Sequence, residues 1–285
     1  MSNLFRKAAL AAIVAGGASP VLAADLAERP IVIEEPPVIQ QPYEEVSDFG
    51  GWYIRGDVDY HWPDFRGADY ITYGTPPGTK SFDTGELKAA FSLGAGVGYQ
   101  INRHFRTDLT VDYWFKSKFR GSTSDPGGCG GGPGVPCQSV DRSKMSALLL
   151  LANAYVDLGT WNGLTPYVGA GIGGAHVRWD DLENDANVGF AVHKGSKNWR
   201  FAYALMAGAS YCLTDNLMVD AGYRFSRIEG GRMFEYIGAG PGFDKGFNTH
   251  EVRAGLRYNF GGGANHCYKP ETVAYEPPPE PIYTK

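Results

Sequence analysis

The sequence predicts an all-β fold, an eight-stranded antiparallel β-barrel that crosses a membrane, and three observations predict it. The first is alternation. In His250–Phe260, Val252, Ala254, Leu256, Tyr258 and Phe260 share one face of an extended chain, and Glu251, Arg253, Gly255, Arg257 and Asn259 share the other. The second is repetition, because seven more stretches of this kind lie upstream. The third is rhythm: short turns alternate with long polar loops, which returns both ends of the barrel to one side. A single strand of this sort would suit a soluble sandwich with one wet face, so the repetition decides. No stretch of the 285 residues approaches the roughly 18 unbroken apolar residues of a membrane helix. The negative mean hydropathy is compatible with a barrel, in which only alternate residues meet lipid.

Residues 1–24 read as a secretory signal peptide: Arg6 and Lys7, an apolar run through Ala8–Leu22, then small residues at Ala23 and Ala24. Its removal takes two positive charges and shifts the formal charge from −5 to −7, which argues against a nucleic-acid partner. Residues 25–50 combine Pro30, Pro36, Pro37 and Pro42 with Glu34, Glu35, Glu44 and Glu45, an arm in which missing donors and carboxylate repulsion oppose regular structure. The barrel is expected over 51–260. Residues 261–285 follow a three-glycine hinge and carry Pro277, Pro278, Pro279 and Pro281, so they cannot add a strand. Both arms are expected to be disordered.

Each strand follows from its own alternation. Strand one, Gly51–Trp62, sets Trp52, Ile54, Val58 and Tyr60 against Arg55, Asp57, Asp59 and His61. Strand two, Ala89–Ile101, backs Phe91, Leu93, Val97 and Tyr99 with Gly94, Gly96 and Gly98, whose missing side chains leave room inside a narrow barrel. Strand three, Phe105–Phe115, sets Leu109, Val111 and Tyr113 against Arg106, Asp108, Asp112 and Trp114. Strand four, Met145–Leu158, is apolar on both faces at first, and Asn153, Tyr155 and Asp157 mark its inner side. Strand five, Pro166–Val177, turns Tyr167, Gly169, Gly171 and Gly173 inward, and strand six, Trp199–Cys212, turns Trp199, Phe201, Tyr203 and Leu205 outward. Strand seven, Leu217–Ser226, sets Val219, Tyr223 and Phe225 against Met218, Asp220 and Arg224. Between them Pro63–Lys88, Lys116–Lys144, Arg178–Lys197 and Arg227–Thr249 read as long surface loops.

A charged face against lipid is costly, so these residues are expected to line the lumen. Arg55, Asp57, Asp59, Arg106, Asp108, Asp112, Asp220, Arg224, Glu251, Arg253 and Arg257 should form an ion-pair network, either plugging the barrel or lining a narrow pore. In an oxidising compartment Cys129 is expected to bridge to Cys137 and Cys212 to Cys267. No serine sits in an elbow motif and the histidines lack metal-ligand spacing, so neither an enzyme nor a bound cofactor is expected.

Gly51-Trp52-Tyr53-Ile54, Thr165-Pro166-Tyr167-Val168-Gly169-Ala170-Gly171-Ile172-Gly173, Leu213-Thr214-Asp215-Asn216-Leu217, Gly222-Tyr223-Arg224-Phe225 and Gly255-Leu256-Arg257-Tyr258-Asn259-Phe260 together resemble the small outer-membrane barrels of the OmpA transmembrane-domain and opacity-protein type, especially the alphaproteobacterial surface-antigen porin group. That resemblance implies an outer-membrane location with periplasmic termini, and insertion by the barrel-assembly machinery through a terminal aromatic signal, Tyr258 and Phe260, although the chain continues past Phe260. A plugged barrel with four surface loops is expected to have a structural surface role, with outer-membrane lipid, lipopolysaccharide, peptidoglycan or a host surface as partners. His61, His176, His193 and His250 are the residues through which such a protein would bind haem or a metal. Lys116–Lys144 holds five basic and two acidic residues, and Lys116, Lys118 and Arg120 suit lipopolysaccharide phosphates as well as they suit a solvated loop.

Overall fold

The computed structural model describes residues 50–72, 78–125, 137–187, 189–235, 241–260 and 267. The predicted signal segment, nearly all of both Pro-rich arms, and Cys129 lie outside the described residues. In chain order the strands are β1 (Gly51–Phe65), β2 (Ala68–Thr72), β3 (Gly78–Ser81), β4 (Thr84–Leu87), β5 (Ala90–Gln100), β6 (Phe105–Asp125), β7 (Cys137–Asp157), β8 (Leu164–Trp179), β9 (Leu182–Ala186), β10 (Gly189–Gly195), β11 (Lys197–Cys212), β12 (Leu217–Ile228), β13 (Gly231–Glu235), β14 (Gly242–Asp244) and β15 (Phe247–Asn259).

Eight of these carry the architecture. β1 pairs with β5, β5 with β6, β6 with β7, β7 with β8, β8 with β11, β11 with β12 and β12 with β15, all antiparallel. β15 then pairs with β1 from Asn259 opposite Tyr53 to Phe247 opposite Phe65, so the hydrogen-bonded ladder returns to its first strand. Alternation settles which face looks where. Arg253 and Arg257 are buried, whereas Val252, Leu256 and Tyr258 are exposed. The same holds on β1, where Tyr53, Arg55, Asp57, Asp59 and His61 are buried and Trp52, Ile54 and Val58 are exposed.

The inward glycines stand where cross-strand partners need their space. Gly255 lies opposite both Asp57 and Asp220, and Gly94 opposite both Asp57 and Asp112. A Cβ on Gly94 would come within 2.5 Å of an Asp112 carboxylate oxygen. One on Gly98 would collide with the Tyr53 ring.

The four predicted long loops need correction, because the strands continue through them. β6 and β7 run on to Asp125 and back from Cys137, well inside the stretch predicted as loop. β2, β3 and β4 occupy part of Pro63–Lys88, β9 and β10 part of Arg178–Lys197, and β13 and β14 part of Arg227–Thr249. Two causes hid them. The extensions are polar on their outer side, and a bulge between Trp114 and Ser117 resets the parity of β6. Below it even positions such as Asp112 and Trp114 point inward; above it Ser117 and Phe119 do.

The extensions close over an apolar core. Trp114, Met145, Ala147, Leu149, Ala175, Val177, Ile228 and Phe247 fill the upper interior, and Phe119, Trp179, Leu182, Met233 and Phe234 continue it with Phe65, Tyr70 and Phe82 packed against them. Phe65 meets Phe119 at 5.1 Å, and Phe119 meets Trp179 at 5.5 Å, both edge to face. His193 on β10 leans on Phe234 at 5.7 Å, and burial holds its pKa below the usual imidazole range.

Gly98→Val should displace Tyr53 and cost about 1–3 kcal/mol by overpacking. Gly56→Val, where a Cβ meets nothing closer than 3.9 Å, should cost less. Urea midpoints of the refolded protein, read from the compact band on unheated gels, check both.

Candidate functional site

The interior below the apolar core is a chain of charges. Arg224 on β12 reaches Glu251 at 2.6 Å, Asp112 at 3.0 Å and Asp59 at 3.4 Å, joining four strands through one guanidinium. Ser226 donates a further hydrogen bond to Glu251 at 2.8 Å. Arg253 stands next to it, at 2.8 Å from Asp57, 3.3 Å from Asp59 and 3.6 Å from Asp112. Arg55 continues the run to Asp57 at 2.6 Å and Asp108 at 3.4 Å, and Asn153 and Tyr53 donate to the same Asp108 at 2.7 and 3.1 Å. Two further pairs lie toward the other end: Arg106 with Asp157 at 3.0 Å, and Arg257 with Asp220 at 3.3 Å. The Arg106 guanidinium also sits over the rings of Tyr155 and Tyr167, 4.1 and 4.6 Å from their centres.

Every residue predicted for this network is therefore buried in the ring and engaged with an opposite charge. Sequence reasoning missed three partners. Asp157 had the right parity but was not assigned to a pair. Arg200, inward on β11, meets Asp244 at 2.6 Å, and Trp179 donates its indole N–H to the same carboxylate at 3.1 Å. Parity alone would have found Arg200; Asp244 stood in a stretch predicted as loop.

The four histidines named for haem or a metal do not come together in one cluster. His61 points inward and stacks on Trp114 at 4.5 Å. His176 faces out against Trp199, and His250 faces out in a hydrogen bond with Tyr223. His193 lies on the distant hairpin. Opposite faces separate His61 from His250, and β11 and β12 stand between the outward His176 and His250; among the described residues no group of three or more His, Cys, Asp or Glu could hold a metal. Cys212, at the end of β11, is disulfide-bonded to Cys267. The predicted partner of Cys137, Cys129, lies outside the described residues.

The outer wall is apolar and banded. Trp52, Tyr99, Phe105, Tyr211, Tyr258 and Phe260 are exposed toward the short-turn end, with Tyr258 and Phe260 edge to face at 5.3 Å. Trp62, Phe91, Tyr113, Phe115, Trp199 and Phe201 are exposed toward the other. Ile54, Val58, Leu93, Val97, Leu109, Val111, Ile172, Leu205, Val252 and Leu256 occupy the wall between them. Aromatic belts at two levels around an aliphatic band match the two interfaces of a bilayer.

Residues 37–260 match the family model described as outer membrane protein beta-barrel domain. The chain belongs to that family. This outer-membrane β-barrel protein is 37% identical over 287 residues to an uncharacterized protein of Brucella suis, covering 90% of this chain and 99% of the other. It is 32% identical over 144 residues to the outer membrane protein PagN of Salmonella typhimurium, covering 48% of this chain and 57% of that one. Among solved structures, OprG of Pseudomonas aeruginosa superposes with a TM-score of 0.45 at 16% identity, over 74% of this chain and 96% of that one. The barrel protein resides in the outer membrane.

The network's geometry ranks its members. Arg224→Ala leaves Glu251, Asp112 and Asp59 buried beside a void and should destabilise the folded barrel by about 3–5 kcal/mol. Lys116→Ala removes the exposed Lys116–Asp180 pair and should cost at most about 1 kcal/mol. Reversible urea unfolding in lipid vesicles compares the two.

Proposed function

We propose that this chain is an eight-stranded transmembrane barrel, plugged rather than conducting, which anchors an ordered β-structured cap at the cell surface and serves the envelope as a structural surface protein. The observation that carries the reading is the position of Arg224, which binds carboxylates from β15, β6 and β1 at once inside the ring. A ring of eight strands is just wide enough for its own side chains to fill. Here Arg253 and Arg55 extend the cross-links around the interior, and Trp114, Met145, Leu149 and Phe247 block it above.

The short turns and both chain ends fall on the periplasmic side in this reading, and the long β-extensions on the outside. Tyr258 and Phe260 are exposed to lipid at the end of β15, where a signal read by the assembly machinery would be accessible. Host surfaces and peptidoglycan are partners that a capped barrel of this kind could meet on its two sides.

Planar-bilayer recording of purified protein tests the plug. Wild-type protein should insert without stable unitary openings, and openings should need Arg224→Ala and Arg253→Ala combined with truncation of Trp114 and Phe247 in the layer above. Large, stable conductances from wild-type protein would overturn the plugged reading.

A further inference from the structure

Beyond the bulge, the outward wall of the ring changes from apolar to cationic. β6 presents Lys116, Lys118 and Arg120, β7 presents Arg142 and Lys144, and β8 and β11 present Arg178 and Lys197, all exposed. They line a cleft of about 990 Å³ between the wall and the β9–β10 hairpin, with Phe119 and Trp179 in its lining. The register sets Lys118 opposite Lys144, Arg120 opposite Arg142, and Arg178 opposite Lys197. Like charges directly opposite destabilise a ladder; Glu86 stands on the other side of Arg120 and Glu183 on the other side of Arg142, which leaves Lys118–Lys144 and Arg178–Lys197 as the pairs that work against the fold unless an anion lies across them.

The acids present do not neutralise the patch. Asp180 holds Lys116 at 2.7 Å, and Asp185 approaches Arg142 at 4.0 Å. Asp181 accepts a hydrogen bond from the Gly195 amide. Among the described residues Lys118, Arg120, Lys144, Arg178 and Lys197 have no acidic group within salt-bridge distance.

We propose that this cleft binds the phosphate groups of a phosphorylated glycolipid in the surrounding outer leaflet. Its height on the wall identifies the source. Lys197 is two residues from Trp199, about 7 Å along the strand, on the same outward face. Arg178 stands in the same relation to His176, and Lys116 directly follows Phe115. The cations thus continue the lipid-facing surface immediately above its aromatic belt, at the level of head-group phosphates, where paired Lys and Arg donors make charge-assisted hydrogen bonds. The inference rests on the membrane-spanning reading above.

Purified protein in zwitterionic detergent is titrated at neutral pH with diphosphorylated lipid A, with the same lipid stripped of phosphate, with inorganic phosphate, and with a soluble sulfated polysaccharide. Diphosphorylated lipid A should bind most tightly and raise the urea midpoint. Lys118→Ala, Arg120→Ala, Lys144→Ala and Arg178→Ala combined should weaken it at least about tenfold, while the ligand-free midpoint stays level or rises as repulsion is relieved. If the combined variant fails to fold, Lys118→Ala with Lys144→Ala should show the same effect at about threefold. Unchanged lipid A binding by a folded variant, equal binding of the phosphate-free lipid, or tighter binding of inorganic phosphate or the polysaccharide would overturn the site. Retained heat-modifiable mobility in those cases would leave the barrel reading standing.

Discussion

Inside a bilayer no water accepts a hydrogen bond from an exposed peptide group, so every backbone donor and acceptor at that depth needs a partner in the chain itself. A β-ladder satisfies this only if it has no free edge. Here β15 returns to β1 over the full length of the last strand, and the pairing leaves none of the eight long strands without a neighbour on either side. Once the backbone is committed in this way, strand pleating imposes a period of two on every side chain, and one parity must suit lipid while the other must suit a narrow interior.

The interior solves its problem by pairing charges with space. Carboxylates and guanidinia occupy inward positions on β1, β6, β12 and β15, while glycines on β5 and β15 stand opposite them and yield the volume, as those on β8 do for Tyr155 and Asn153. Arg224 and Arg253 share Asp59 and Asp112, so removing any one member leaves several others exposed to a low-dielectric interior. Above this polar layer the same inward parity carries Trp114, Met145, Leu149 and Phe247, and the ring closes on aromatic packing.

Much of this was legible from residue order alone. Because the inward face is ionic from Arg55 to Asp59, and ionic but for Thr110 from Arg106 to Asp112 and but for Gly255 from Glu251 to Arg257, the lumen could be assigned residue by residue. Three things were not legible. The bulge at Trp114–Ser117 reverses parity in β6, so Phe119 and Lys118 looked like loop residues rather than the inner and outer faces of one strand. Asp244 finds Arg200 only through the fold of β13 and β14, which sequence separation hides. The histidines share a side chain but stand on different faces or on strands that are not neighbours, and residue type alone does not show which of them the ladder holds apart.

The central claim is that parity along β15 separates lipid from lumen. Single tryptophans placed in turn at positions 252 to 257 of an otherwise tryptophan-free protein, in vesicles of brominated phospholipid, read it directly. The account predicts strong quenching at 252, 254 and 256 and weak quenching at 253, 255 and 257. Equal quenching at all six positions, or the reverse alternation, would contradict it.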